Sequence, residues 1–132
     1  MKLLGIDYGT KRVGLALSDE SNTFALPLSV IDNSKKLIDD INEVVCEREI
    51  TTVILGESKN FKGENNPIMR KILEFKQKLE DTLKLNVIFE PEFLTSHQAE
   101  QITGKNSMHD ASAAALILQS YLDRMKNSGS NI

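Results

Sequence analysis

The stretch that decides the fold lies near the start of the chain, where residues 5–14 read GIDYGTKRVG. An apolar run, Leu3-Leu4-Gly5-Ile6, leads into it, and apolar residues alternate with small ones from residue 13 to residue 17. This alternation is typical of a strand, and the short glycine turn between the two segments predicts antiparallel pairing. Asp7 therefore ends a central strand, where burying an unpaired carboxylate would be costly.

The rest of the chain predicts a mixed sheet with helices. After a third strand at residues 24–31, the spacing becomes helical over residues 37–45, with Asn33 or Ser34 as the cap. The later predicted elements are a strand at 51–56, a helix at 66–83, a strand at 85–89, a short helix opening at Thr95 and an alanine-rich helix from Ser107 to about Met125. Because strands and helices alternate in the second half, we expect parallel pairing there. The predicted fold class is α/β: a five-stranded sheet with three antiparallel N-terminal strands, then parallel strands, and helices on both faces.

The length and composition limit the class of protein. The 132 residues fit one domain, predicted to span residues 1–125 ahead of a frayed polar tail at 126–132. With 40% hydrophobic and 27% charged residues, the chain is typical of a soluble globular protein. It has no run of 18 apolar residues and no signal-peptide pattern, so we expect a cytoplasmic protein without a membrane partner. The single cysteine, Cys46, excludes an intramolecular disulfide and is expected to be mostly buried.

The net charge of −3 argues against a broad basic face for nucleic acid. Any such contact must be local, or metal ions must supply positive charge at the site. Thr10, Lys11 and Arg12 are either turn residues on a solvated edge or phosphate contacts. Lys59 and Lys62 are equally compatible with a backbone contact to nucleic acid and with a solvated loop.

Further acids lie where a site can form. Glu57 directly follows one predicted buried strand, and Glu90 and Glu92 follow the next. Open α/β sheets place their sites at the carboxyl ends of strands, although a strand-end acid is often an ordinary loop residue. Asp110 opens the last helix, so it either stabilises the helix start through the dipole or lies near Asp7, because the alanines after it permit close packing on the sheet.

Sequences like residues 5–14 occur in two kinds of protein. In actin-like sugar kinases an Asp-x-Gly-Thr turn binds nucleotide phosphates, and in RNase H-like nucleases the same strand carries the first metal-binding aspartate. The kinases need two such domains with a cleft between them, which 132 residues cannot supply. The nuclease fold needs only one, so the length favours it.

From about Lys2 to Asp123 the chain resembles the YqgF family, also called RuvX. The most specific matches are residues 5–16, GIDYGTKRVGLA, and residues 109–116, HDASAAAL. The resemblance implies an RNase H-like fold related to the Holliday junction resolvase RuvC. It also implies a metal-dependent endonuclease associated with maturing the 5′ end of 16S rRNA, with a pre-rRNA or ribosomal precursor as its partner.

The resemblance also implies the site residues. The first aspartate of the family corresponds to Asp7, its late helix aspartate to Asp110, and the glutamate of an Asp-Glu-Arg triplet to Glu92. That triplet reads Pro91-Glu92-Phe93 here, so the aspartate and the arginine are both replaced. The loss of the arginine removes a possible phosphate contact.

The leading hypothesis is an RNA phosphodiesterase in which carboxylates hold two Mg²⁺ or Mn²⁺ ions about 4 Å apart. A DNA-junction resolvase with the same chemistry is one alternative, since the fold does not separate RNA from DNA. A non-catalytic RNA- or protein-binding module with a decayed site is another, and the replaced triplet favours it.

The middle acid has two candidates. In the RNase H-like fold the fourth strand lies beside the first, so Glu57 has a short reach to a metal bound by Asp7. Glu92 follows the fifth strand, roughly 10 Å from the first. We expect Asp7, Glu57, Glu92 and Asp110 to face one pocket, all four as catalytic metal ligands; the alternative for Glu57 is an exposed loop residue.

Overall fold

The computed structural model describes residues 2–58, 67–92 and 109–126. Its strands are β1 (Lys2–Tyr8), β2 (Arg12–Ser18), β3 (Ala25–Asp32), β4 (Ile50–Ser58) and β5 (Asn86–Glu92). Its helices are α1 (Leu37–Arg48), α2 (Pro67–Leu83) and α3 (His109–Met125). None of these three helices is long and apolar enough to cross a membrane.

The strands form one sheet in the order β3-β2-β1-β4-β5. β2 pairs antiparallel with both β1 and β3, while β4 pairs parallel with both β1 and β5. This confirms the predicted mixed α/β sheet. Short turns keep β2 and β3 on one side of β1, and the connection through α1 brings β4 to its other side, so β1 lies at the centre.

One face of the sheet is covered by α1 and α2 and holds large apolar side chains. Leu4 and Ile6 of β1 and Leu55 of β4 are fully buried there. Ile41 of α1 and Leu79 of α2 pack into the same cluster and are also fully buried. This face is the larger part of the hydrophobic core.

The opposite face is covered by α3 and is built from smaller groups. Ala16 and Ile54 pack there with Ala114 and Leu118 of the helix. Gly5 lies directly beneath α3, because a Cβ added at this position would lie 2.8 Å from the Leu118 Cβ and 2.9 Å from the Ala114 carbonyl oxygen. The expected close approach of the alanine-rich helix to the sheet is therefore confirmed, and it depends on a glycine in the strand.

The predicted N-cap of the first helix is wrong, although its first helical residue is as predicted. The helix begins at Leu37, and its N-cap residue, Lys36, makes no side-chain cap bond. The Ser34 hydroxyl oxygen instead accepts a hydrogen bond from the Lys36 backbone N–H at 3.1 Å. Asn33 and Ser34, the predicted cap residues, therefore belong to the turn before the helix.

Four further expectations are corrected or fall outside the described residues. β4 and β5 continue through Glu57 and Glu92, so these acids lie within strands and do not follow them. Cys46 is exposed and not buried, and its Sγ lies 3.6 Å from Asn42 Oδ1. The short helix predicted at Thr95 lies outside the described ranges, as do residues 127–132 of the predicted tail.

Candidate active site

Asp7 is the second-to-last residue of the central strand, β1. It pairs with Gly14 of β2 and is half-buried. Leu4 and Ile6 point into the core under α1 and α2, whereas Leu3 and Gly5 face α3. Since successive strand residues alternate between faces, Asp7 shares the α3 face.

The turn after Asp7 is held by backbone geometry and by one side chain. A Cβ at Gly9 would lie 2.5 Å from the Arg12 carbonyl oxygen, so the turn requires a glycine at this position. The Asn33 side chain donates a hydrogen bond to the Gly9 carbonyl at 2.8 Å, and its backbone N–H donates to the Lys11 carbonyl at 2.9 Å. Thr10, Lys11 and Arg12 are exposed on this anchored turn. Lys59 and Lys62 lie outside the described residues.

Gly56 of β4 is the neighbour of Asp7 across the parallel pair of strands. β1 and β4 run in register with Ile6 opposite Leu55, so Asp7 is level with Gly56, one residue further along. Gly56 is in turn level with Glu90 of β5. Gly56 is buried and has no side chain, so no β4 side chain lies between Asp7 and Glu90, whose strands are roughly 10 Å apart.

Glu57 belongs to the other face of the sheet. In β4, Ile54 packs under α3, while Val53 and Leu55 pack under α1 and α2. The alternation that places Asp7 toward α3 therefore places Glu57 toward α2. This geometry favours Glu92 over Glu57 as the middle acid.

Glu92 and Asp110 are placed through their backbones. Glu92 pairs with Ser58 and is the last residue of β5, and Asp110 is the second residue of α3. Leu3 lines one cavity with Leu122, whereas Gly5 contacts Ala114 and Leu118. Later residues of β1 therefore contact earlier residues of α3. Asp7 follows Gly5 in β1 and Asp110 precedes Ala114 in α3, so this trend brings the two positions toward each other.

Glu90 is a buried carboxylate with a structural role that the sequence does not reveal. Its side chain is only 4% exposed, and the Arg124 guanidinium of α3 donates to Oε1. The Ser120 hydroxyl donates to Oε2 at 2.9 Å. Both carboxylate oxygens are satisfied, so this acid fastens β5 to α3. Ser120 and Arg124 are spaced one helical turn apart, which is the signal that could have identified a shared partner.

A metal site here would consist of carboxylate oxygens. Among the residues whose side chains the structure describes, no three His, Cys, Asp or Glu side chains form a metal-binding group, and Glu92 and Asp110 are not in that set. Asp7 supplies a hard oxygen donor at the end of the central strand. Such donors fit Mg²⁺ or Mn²⁺ and do not fit a soft thiolate-preferring metal.

Most of the chain matches one family model. Residues 1–124 match the model described as "RuvX: Holliday junction resolvase". The chain belongs to the RuvX family. This membership identifies the protein as a nuclease that binds nucleic acid, and it confirms the resemblance drawn from residues 5–16 and 109–116.

Named relatives agree with this family. A protein of Caldanaerobacter subterraneus subsp. tengcongensis, named "Putative pre-16S rRNA nuclease", is 38% identical over 97% of this chain and 100% of its own length. A relative of the same name from Thermoanaerobacter pseudethanolicus is 33% identical over 96% of this chain and 99% of its own length.

Solved structures show the same fold at low sequence identity. Thermus thermophilus RuvC superposes with a TM-score of 0.62 at 16% identity, covering 96% of this chain and 97% of RuvC. The fowlpox virus resolvase, solved with Holliday junction DNA, also gives a TM-score of 0.62, at 14% identity, covering 95% and 99%. Both confirm the RNase H-like fold class of the resolvases.

Proposed function

We propose that this protein is a metal-dependent endonuclease that hydrolyses RNA phosphodiester bonds in 5′-end processing of pre-16S rRNA. The observation that carries the proposal is the position of Asp7: a half-buried carboxylate at the end of the central strand, on the α3 face, level with Gly56 of β4. The names of the RuvX relatives support the rRNA precursor as substrate.

Asp7, Glu92 and Asp110 would hold the metal, with Mg²⁺ or Mn²⁺ as the ions that carboxylates prefer. When bound, two such ions supply activation of the attacking water and stabilisation of the leaving oxygen. They also offset the negative charge of the acids toward an anionic substrate. Glu57 faces away from this set, so the proposal takes Glu92 as the middle acid.

The remaining residues position these acids and the substrate. The anchored turn at Thr10, Lys11 and Arg12 presents hydroxyl and cationic groups directly after Asp7, where they contact substrate phosphates. The ion pair between the buried Glu90 and Arg124 fixes β5 against α3, and these two elements carry Glu92 and Asp110. Precise spacing between ligands on different elements is what a two-ion site needs.

A Holliday-junction resolvase is the second candidate, because the family model itself carries that description. The chemistry and the acids would be the same, and only the nucleic acid would differ. Replacement of the family triplet by Pro91-Glu92-Phe93 favours a third candidate, an RNA- or protein-binding module that does not cleave nucleic acid.

One paired assay separates these functions. Purified protein is incubated with a pre-16S rRNA fragment and, separately, with a four-way DNA junction, each with Mg²⁺ and with a chelator. The proposal expects chelator-sensitive cleavage of the RNA and little cleavage of the junction. Preferential cleavage of the junction would identify a resolvase, and absence of cleavage on both would identify a binding module. Asp7→Asn protein purified in parallel controls for a contaminating nuclease.

A further inference from the structure

A small basic cavity lies on the face of the sheet opposite the candidate active site. It has a volume of about 140 Å³ and opens between the end of β1 and the helices α1 and α2. Its floor includes Tyr8, whose half-buried ring packs on Phe75 with a centroid distance of 4.8 Å. Tyr8 directly follows Asp7, so the two faces meet at this end of β1.

The rim of the cavity is rich in lysine. Lys35 approaches from the turn before α1, and Lys71 and Lys78 come from α2. All three lysines are exposed, and none is paired with another residue of the described part of the chain. They stand out against the net charge of −3 of the whole protein.

The arrangement along α2 is regular. Lys71 and Lys78 are seven residues apart, so they lie on one side of the helix and about 10 Å apart along its axis. Glu74 lies between them on the same side and also lines the cavity. Three lysines and one glutamate leave a net formal charge of two positive units at the rim.

We propose that this cavity and its lysine rim bind the phosphate backbone of a single-stranded stretch of the RNA substrate as it leaves the active site. The inference rests on the proposed function, and it adds a second contact surface to it. A polyanion is the ligand that separated, unpaired lysines favour, and each neutralised phosphate releases counterions. A cavity of this volume has room for a phosphate group with water, since about 10–15 Å³ open to the centre of a water-sized sphere is enough for one water.

Continuity with the active site comes from the turn after β1. Asn33, which bonds to the Gly9 and Lys11 carbonyls, also lines the cavity. The exposed turn at residues 10–12 therefore forms the bridge between Asp7 on one face and the lysines on the other. An RNA strand that crosses this edge of the sheet would contact basic groups of the turn and of α2.

The test uses RNA binding without cleavage. The affinity of a fluorescent single-stranded RNA is measured by anisotropy in the presence of chelator, at several salt concentrations. The variant Lys71→Gln/Lys78→Gln removes two positive charges at the cavity. The matched control, Arg48→Gln/Lys84→Gln, removes two exposed charges at the opposite end of the parallel strands, where β4 and β5 begin.

The proposal predicts that the cavity variant raises the Kd about 10-fold and lowers the salt slope by about 1.4, while the control changes neither much. Equal loss of RNA affinity in both variants would indicate general electrostatics and overturn the proposal. Unchanged RNA affinity in both variants would also overturn it. Cleavage by Asp7→Asn protein is measured separately. If Asp7→Asn loses cleavage but the cavity variant binds RNA as the parent does, only this inference is overturned. If Asp7→Asn still cleaves, the proposed function is overturned.

Discussion

The two faces of the sheet are built differently. Under α1 and α2, large side chains such as Leu4, Ile41 and Leu79 fill the space between the layers. Under α3, Gly5 and Ala114 bring backbone close to backbone, and an ion pair joins Glu90 to the helix. One face is therefore stabilised by the amount of apolar surface that it buries. The other holds strands and helix at fixed distances, which is what ligands on separate elements require.

The largest stability effect is expected from a cavity in the face under α1 and α2. Leu79 is fully buried there. The substitution Leu79→Ala should lower the free energy of unfolding by about 2–5 kcal/mol, from lost transfer energy and the void left behind. Urea denaturation measures this loss. Cleavage per folded molecule should stay unchanged at low temperature, and a large drop would show that this face does more than support the fold.

A substitution under α3 should destabilise the protein less than Leu79→Ala does but reduce cleavage more. The substitution Gly5→Ala places a Cβ 2.8 Å from the Leu118 Cβ and forces α3 outward. We expect a loss of about 1–3 kcal/mol, as for other overpacked cores. Because α3 carries Asp110, cleavage should fall more than the folded fraction does. Leu79→Ala is the matched control, and equal behaviour of the two variants would remove the distinction between the faces.

Loss of the ion pair should destabilise the α3 face less than a core cavity does. Arg124→Ala leaves the Glu90 carboxylate buried without its cation, although the arginine side chain is 55% exposed and part of the pair is screened. We expect a loss of about 1–3 kcal/mol in denaturant unfolding. Adding Glu90→Gln should recover part of it, because the buried charge is then gone. A double variant less stable than Arg124→Ala alone would contradict this.

The smallest effect concerns acid stability. Hydrogen bonds from the Phe24 and Thr23 backbone N–H groups hold the pKa of Asp19 below its usual 3.8. A carboxyl with a lowered folded pKa stabilises the protein above its unfolded pKa, and this contribution is lost as the pH falls through the folded value. Asp19→Asn should therefore be slightly less stable than the parent at pH 7, with the gap closing below about pH 4. Thermal melts from pH 7 to pH 3 measure this, and a gap that widens in acid would be inconsistent with it.

Much of the fold was predictable because its signals are local. The turns at residues 9–11 and 19–22 and the apolar alternation predict the antiparallel strands, and the later alternation of strands and helices predicts the parallel ones. The ends of β4 and β5 were not predictable in this way. The sequence places Glu57 and Glu90 in loops. The partners that satisfy the buried Glu90 carboxylate, Ser120 and Arg124, lie 30 and 34 residues away in the chain.

The candidate site was predictable only in part. Asp7 follows from an acid at the end of an apolar strand, and Glu92 and Asp110 follow from the family resemblance. The side to which Glu57 points depends on the register of β4 against β1, which no local pattern specifies. The lysines of α2 were missed because its apolar residues read only as a core face, while the exposed residues gain meaning from the cavity beside them.

The proposed active site lies on the α3 face at Asp7. The most direct measurement compares the RNA cleavage rates of Asp7→Asn and Glu57→Gln, two charge-removing substitutions on adjacent strands. Asp7→Asn should lose about 100-fold or more, since removal of even an outer partner of a metal ligand costs about 10–100-fold. Glu57→Gln should stay within a few-fold of the parent. A Glu57→Gln variant as inactive as Asp7→Asn, or an active Asp7→Asn, would contradict the account.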